Sequence, residues 1–249
     1  MAATIISRVI GLLYRSPLGE TIGNEGLGYY STASNLYTIL LLISSYSIPM
    51  AVSKIVSERL ALKEYRNAHR VFHGALLYAV IVGGVAALVA FFGGKFLLPY
   101  NQQNALLALR VLAPTIFFSA VLGVLRGYFQ AHSTMMPTSI SQIIEQVFNA
   151  AFSIGAAWFF IQQFATNDTE HAKFGAAGGT LGTGAGVLAG LCFMVIVYGV
   201  NRKTILRKVA KDTRHREESY REIFQVLFLM VTPVIFTTFI YNCNAYLDN

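Results

Sequence analysis

Long apolar blocks separated by short polar connectors recur along almost the whole chain. They run over about Leu27–Met50, Phe72–Phe92, Ala105–Tyr128, Pro137–Phe164 and Phe174–Val200, and another starts near Ile223. A helix needs roughly 20 apolar residues to cross a hydrocarbon core of about 30 Å, and each complete block meets that length. Only 12% of the 249 residues are charged, against roughly a quarter in soluble domains. A soluble single-core domain is therefore excluded. The expected fold is all-α, a polytopic transmembrane helical bundle.

The opening block, Ala2–Arg15, is shorter than a span. Either its helix begins upstream or it continues past Ser16 and Pro17 toward Ile22, and the first is the expectation. Pro17–Gly28, reading PLGETIGNEGLG, then suits an exposed loop or helix entry. Proline predicts a break near Pro49, an interruption at Pro114 and another at Pro233. Counted this way, six complete spans are followed by a seventh that is cut off at Asn249, where no capping or loop signal occurs.

Basic residues set the orientation. Fourteen of the 19 lysines and arginines fall in Val52–Arg70, in Asn201–Glu222 or at Arg126, all on one side of the expected topology. The positive-inside rule makes that side cytoplasmic, and the N-terminus with it. These segments do not suggest nucleic-acid binding. Glu217, Glu218 and Glu222 interleave with the cations, and no aromatic stacking pattern accompanies them. Attraction to anionic headgroups is the simpler account.

The residues that need explaining are polar ones inside spans. Arg8 and Arg15 are seven apart in TIISRVIGLLYR, so both leave one helix face, about 10 Å apart along the axis. An arginine in a span costs roughly 2.5–3.5 kcal/mol at the centre on insertion scales. The pair faces a cavity, or it snorkels to the two surfaces. In the fifth span, Thr138, Gln142, Glu145, Asn149 and Ser153 form a continuous polar stripe. Such a stripe lines an aqueous cavity or bonds neighbouring helices. Glu145 has three candidate roles: neutralising Arg8, binding a coupling cation, or carrying a proton. Tyr241, Asn242, Asn244 and Asp248 would place a second polar face in the seventh span, and Arg110 suits outward snorkelling.

Gly178, Gly182, Gly186 and Gly190 recur every four residues, a ridge for close helix packing. No Lys-Ser/Thr follows to make a phosphate loop. His69 and His73 share a helix face without a third ligand. Cys192 and Cys243 suit small apolar core positions. No catalytic constellation can be assembled, so neither enzymatic activity nor a cofactor is expected.

Ser7-Arg8-Val9-Ile10-Gly11 with Tyr14-Arg15, then Ile22-Gly23 through Gly26-Leu27-Gly28, and Ile48-Pro49 with Val52-Ser53-Lys54 form an opening motif. Leu125-Arg126-Gly127-Tyr128-Phe129-Gln130 follows span four. Together these resemble bacterial polysaccharide and lipid-linked-oligosaccharide flippases, in particular the stage V sporulation protein B group, which is similar to lipid II flippases. The resemblance implies two pseudo-symmetric lobes of about twelve to fourteen helices in all, alternating access around a central cavity. Residues 1–200 would be the first lobe, 201–222 a basic cytoplasmic inter-lobe loop, and 223–249 the start of the second lobe.

The implied substrate is an undecaprenyl-pyrophosphate-linked glycan, such as lipid II or another polysaccharide unit, in the bacterial inner membrane. Arg8 matches a cavity arginine of the group, and Arg15 lies near a second. The arginine that lipid II flippases carry in span two is missing, since that region reads Tyr37-Thr38-Ile39-Leu40. Candidate substrate-binding residues are Arg8, Arg15, Gln142, Glu145, Asn149 and Asn242, and the expected partners are the bilayer, the lipid-linked substrate and the second lobe. The alternative is a cation- or proton-coupled multidrug exporter of the same superfamily, which would rely on Glu145.

Overall fold

The structure, a computed structural model, describes residues 2–212 and 218–247, with side chains described except at 2–4, 6, 8, 101 and 234–247. All regular structure among the described residues is helical: α1 Ala2–Leu13, α2 Arg15–Ser44, α3 Ile48–Ala61, α4 Tyr65–Leu97, a 3-10 turn at Tyr100–Ala105, α5 Leu106–Ala131, α6 Met136–Phe164, α7 Asp168–Ala210 and α8 Tyr220–Leu247. Among the described residues, five segments are long and apolar enough to cross a membrane: Val9–Ala61, Tyr65–Leu97, Gln102–Ala131, Met136–Phe164 and Asp168–Ala210.

The first of these segments departs from the expectation. The Tyr14 N–H donates to the Ile10 carbonyl and the Leu18 N–H to the Tyr14 carbonyl, at 3.2 and 3.1 Å. Tyr14 keeps helical backbone angles, φ −76° and ψ −17°, so α2 follows α1 directly. Pro17 lies in the first turn of α2, where a missing N–H costs little. The break comes at Gly23, with φ 73° and ψ 174°, a conformation that residues with a Cβ avoid. Helix therefore runs over 2–22, about 30 Å at 1.5 Å per residue. Pro17–Gly28 is helical on both sides of Gly23 rather than a loop.

Other boundaries shift for similar reasons. Pro49 occupies the first turn of α3, so the basic stretch after it is α3 and the start of α4. Helices α5 and α8 stay continuous through Pro114 and Pro233, where interruptions were expected. Helix α7 runs to Ala210, through the first half of the stretch expected to be a loop. Asp212 and Glu218 are both tied to the α3–α4 corner. The Asp212 carboxylate accepts from the Arg66 N–H at 2.8 Å, capping α4 from a distant part of the chain. Arg59 pairs with Glu218 at 2.7 Å.

Packing forms two apolar clusters that share α5. Its first half, with Leu109, Leu112 and Ile116, joins Leu18, Ile22 and Tyr30. Its second half, with Leu125 and Tyr128, joins Val52, Phe72, Ile223 and Leu227. The closest helix pair is α6 with α7. A Cβ built on Gly178 would fall 2.5 Å from the Ala156 carbonyl oxygen, one on Gly182 would overlap Ser153, and one on Gly186 would overlap the Glu145 carbonyl. The glycine ridge thus brings the two backbones together. Cys192 is exposed on α7 rather than in the core, and the Cys243 side chain lies outside the described residues.

Candidate functional site

Helices α5 and α6 form a hairpin around the turn at His132–Thr134. Residues at similar distances from such a turn meet across the pair. Arg126 and Ser141 are one such pair, and the arginine side chain reaches one turn further, to Glu145. Its Nε donates to Ser141 Oγ at 2.9 Å and its Nη2 to Glu145 Oε2 at 2.7 Å. The two side chains are 15% and 22% exposed, so the pair sits at a wall and is not sealed in a core.

Two clefts flank this wall. One, of about 520 Å³, lies between α1 and α6. Ser7, Gly11 and Arg15 line it on the α1 side, and Gln142, Glu145 and Gln146 on the α6 side. The other, of about 260 Å³, opens toward α2 and α3, with Tyr37, Ser45 and Pro49 facing Ser119, Arg126 and Gln142. Tyr37 bonds to Ser119 across it at 3.3 Å. Arg126, Gln142 and Glu145 belong to both clefts.

The depth of Arg15 follows from its neighbour. Asn149, midway along α6, donates to the Tyr14 hydroxyl at 3.5 Å, and Tyr14 bonds to Tyr30 at 3.1 Å. Arg15 therefore lies near the middle of the helices, not near an outer end as the shorter first span implied. It is exposed to the larger cleft, and it makes no ion pair among the described residues. Snorkelling from mid-depth would have to cover about 15 Å, which is beyond the side chain.

The polar stripe of α6 divides in two. Gln142 and Glu145 line the clefts. Ser153 is fully buried, donating to the Gly179 carbonyl at 2.8 Å and to Asn149 Oδ1 at 3.0 Å. Asn149 is buried and lines neither cleft. In this structure it bonds between helices, to the Tyr14 hydroxyl of α1 and the Thr183 hydroxyl of α7. Glu145 is committed to Arg126, where Arg8 was the expected counter-charge.

The Arg8 backbone lies in α1 and the Asn242 backbone in α8, but both side chains, and Asp248 entirely, lie outside the described residues. Arg110 is exposed and stacks on Phe91 at 5.8 Å. His69 and His73 are neighbours at 4.5 Å, and among the described residues no group of three or more metal-ligating side chains forms.

Arg126 is the residue that sequence reasoning missed, having been counted as a charge at the inner end of its span. The signal was available: a carboxylate inside a span requires a cation at its own depth, and Arg126 is the arginine that hairpin spacing brings there.

The family model for polysaccharide biosynthesis proteins matches residues 1–249. The chain is 26% identical over 254 residues to stage V sporulation protein B of Bacillus subtilis (strain 168), covering 100% of this chain and 46% of that protein. It is 24% identical over 255 residues to the lipid II flippase MurJ of the same organism, covering 98% of this chain and 46% of that protein. The chain thus spans less than half the length of these curated relatives. Among solved structures, a MATE in the straight conformation superposes with a TM-score of 0.70 at 16% identity, covering 96% of this chain and 51% of that one, a likeness of fold.

Proposed function

The chain belongs to the polysaccharide biosynthesis protein family, and on that premise we propose that it forms the first lobe of a flippase for an undecaprenyl-pyrophosphate-linked glycan precursor. In this reading the six spans lie in residues 1–200, residues 201–222 join the lobes, and α8 begins the second. The N-terminus is cytoplasmic and the precursor moves from the inner to the outer leaflet of the bacterial inner membrane.

The observation that carries the proposal is Arg15. An arginine at mid-depth, exposed to a cleft and without a carboxylate partner among the described residues, is stable only against water or an anion. A pyrophosphate supplies the anion. Guanidinium groups bind phosphate oxygens through paired, charge-assisted hydrogen bonds. Arg126 lies across the same cleft, held by Glu145. The arriving head group competes with that carboxylate for the guanidinium, and when the head group leaves, Glu145 takes Arg126 back. Arg126 is then never left without an anionic partner. The lipid tail stays in the bilayer while the sugar head crosses, and one lobe rocks against the other to change access. A cation gradient, a proton gradient or the membrane potential would drive the cycle.

The multidrug-exporter reading needs a carboxylate available to an organic cation. Glu145 is occupied by Arg126, which favours the anionic substrate. The test is translocation of a fluorescent precursor by the full-length protein in proteoliposomes. Arg15→Gln should lower the initial rate at least about tenfold, with Arg15→Lys recovering part of it. An undiminished rate in Arg15→Gln would remove this residue and its cleft from the pathway.

A further inference from the structure

A third cleft, of about 130 Å³, shares no lining residue with the two beside Arg126. It lies where the end of α5 and the turn after it meet the far end of α7. Tyr128 and Ile205 form an apolar floor, and His132, Thr134, Thr204 and Lys208 form a polar rim. The floor is rigid: Tyr128 is 2% exposed and packs on Phe72 at 4.4 Å and His132 at 4.6 Å between ring centroids. The His132 Nδ1 is bonded to the Tyr128 carbonyl at 2.9 Å. That carbonyl can only accept, so Nδ1 carries the proton and Nε2 remains for a ligand.

The surroundings suggest what the ligand is. Helix α7 has 43 residues, about 64 Å of helix, whereas a bilayer with its headgroups is about 40–45 Å thick. Its last turns therefore lie at or beyond the headgroup layer. Those turns and the residue after them carry Arg202, Lys203, Arg207, Lys208 and Lys211, all exposed, with no acidic residue between Glu170 and Asp212. Such a stretch raises the local concentration of anions at a membrane surface. The cleft then offers what a diffuse field lacks: a lysine and hydroxyls at the rim for a phosphate diester, above an aromatic and aliphatic floor for the glycerol and first methylenes.

We propose that this cleft is a binding site for the headgroup of an anionic phospholipid of the cytoplasmic leaflet. The orientation rests on the topology of the proposed function, but the site does not depend on what the protein transports. A phosphate oxygen accepts from Lys208 and Thr204 at the rim.

The test is native mass spectrometry of the full-length protein in detergent, titrated with phosphatidylglycerol, phosphatidylcholine or inorganic phosphate. Phosphatidylglycerol should be retained at several-fold lower concentration than phosphatidylcholine. Lys208→Ala with Thr204→Ala should abolish that preference, Lys208→Arg should keep it, and Arg110→Ala, outside the cleft, should leave it unchanged. Inorganic phosphate should fail to displace the lipid at millimolar concentration. Equal retention of the two lipids, an unchanged preference in the double variant, or displacement by inorganic phosphate would each overturn the proposal. Loss of translocation in Arg15→Gln with the lipid preference intact would show that the two readings stand or fall separately.

Discussion

The two halves of the α6 polar stripe have similar side chains and opposite surroundings. Gln142 and Glu145 border open clefts, whereas Asn149 and Ser153 are buried and bonded to α1 and α7. The difference lies in the partners. Opposite the second half, Gly178 and Gly182 admit the α7 backbone so closely that any side chain there would collide with α6. The Gly179 carbonyl then accepts from Ser153, and the Tyr14, Ser153 and Thr183 hydroxyls satisfy Asn149. Along the first half, Gly186 of α7 still meets the α6 backbone, but the Gln142 and Glu145 side chains line the cleft toward α1, which presents Gly11, where an added Cβ would make only an ordinary 3.4 Å contact with Gln146, and space remains. A polar stripe marks a helix face, but the neighbour decides whether it becomes a cavity wall or a seam.

This contrast can be broken most severely from the α7 side. Gly182→Val should misplace α6 and cost about 3 kcal/mol or more in stability, seen as a large fall in melting temperature or loss of monodisperse protein in detergent. The next largest effect should come from the cleft side. Arg126→Gln should lower translocation at least about tenfold while most of the protein remains folded. The exchange Arg126→Glu with Glu145→Arg should restore folding more than transport, because the cation then sits on a different helix.

Gly11→Leu sharpens the comparison. It should fill part of the larger cleft and slow transport several-fold with little change in melting temperature, the reverse of the pattern for Gly182→Val. The smallest effect should be that of Asn149→Ala. Losing its hydrogen bonds should cost about 1–2 kcal/mol, and the rate per folded molecule should stay within about twofold of the native one.

Much of this was legible in the sequence. Apolar blocks of spanning length give the class, and glycines at intervals of four give the α6–α7 seam. Polar residues at helical spacing give the stripe. What could not be read was governed by tertiary context. Pro17 looked like a terminator, but a proline in a first helical turn is harmless, and the true break is one backbone conformation at Gly23. That misreading displaced Arg15 by nearly half a bilayer. Asn149 and Gln142 are indistinguishable by pattern, because burial depends on α7. Arg126 was hidden by its position near a span end, where an arginine normally needs no explanation. The two lobes of the longer relatives enter only through the proposed function.

The most direct measurement of the central claim is thiol accessibility along α6 in membranes open on both sides. The full-length protein would carry Cys192→Ser and Cys243→Ser, with either Gln142→Cys or Ser153→Cys, and would be exposed to a membrane-impermeant thiol reagent. The account predicts rapid labelling at position 142 and none at position 153 until the protein is denatured. Equal labelling at the two positions, or faster labelling at 153, would contradict it.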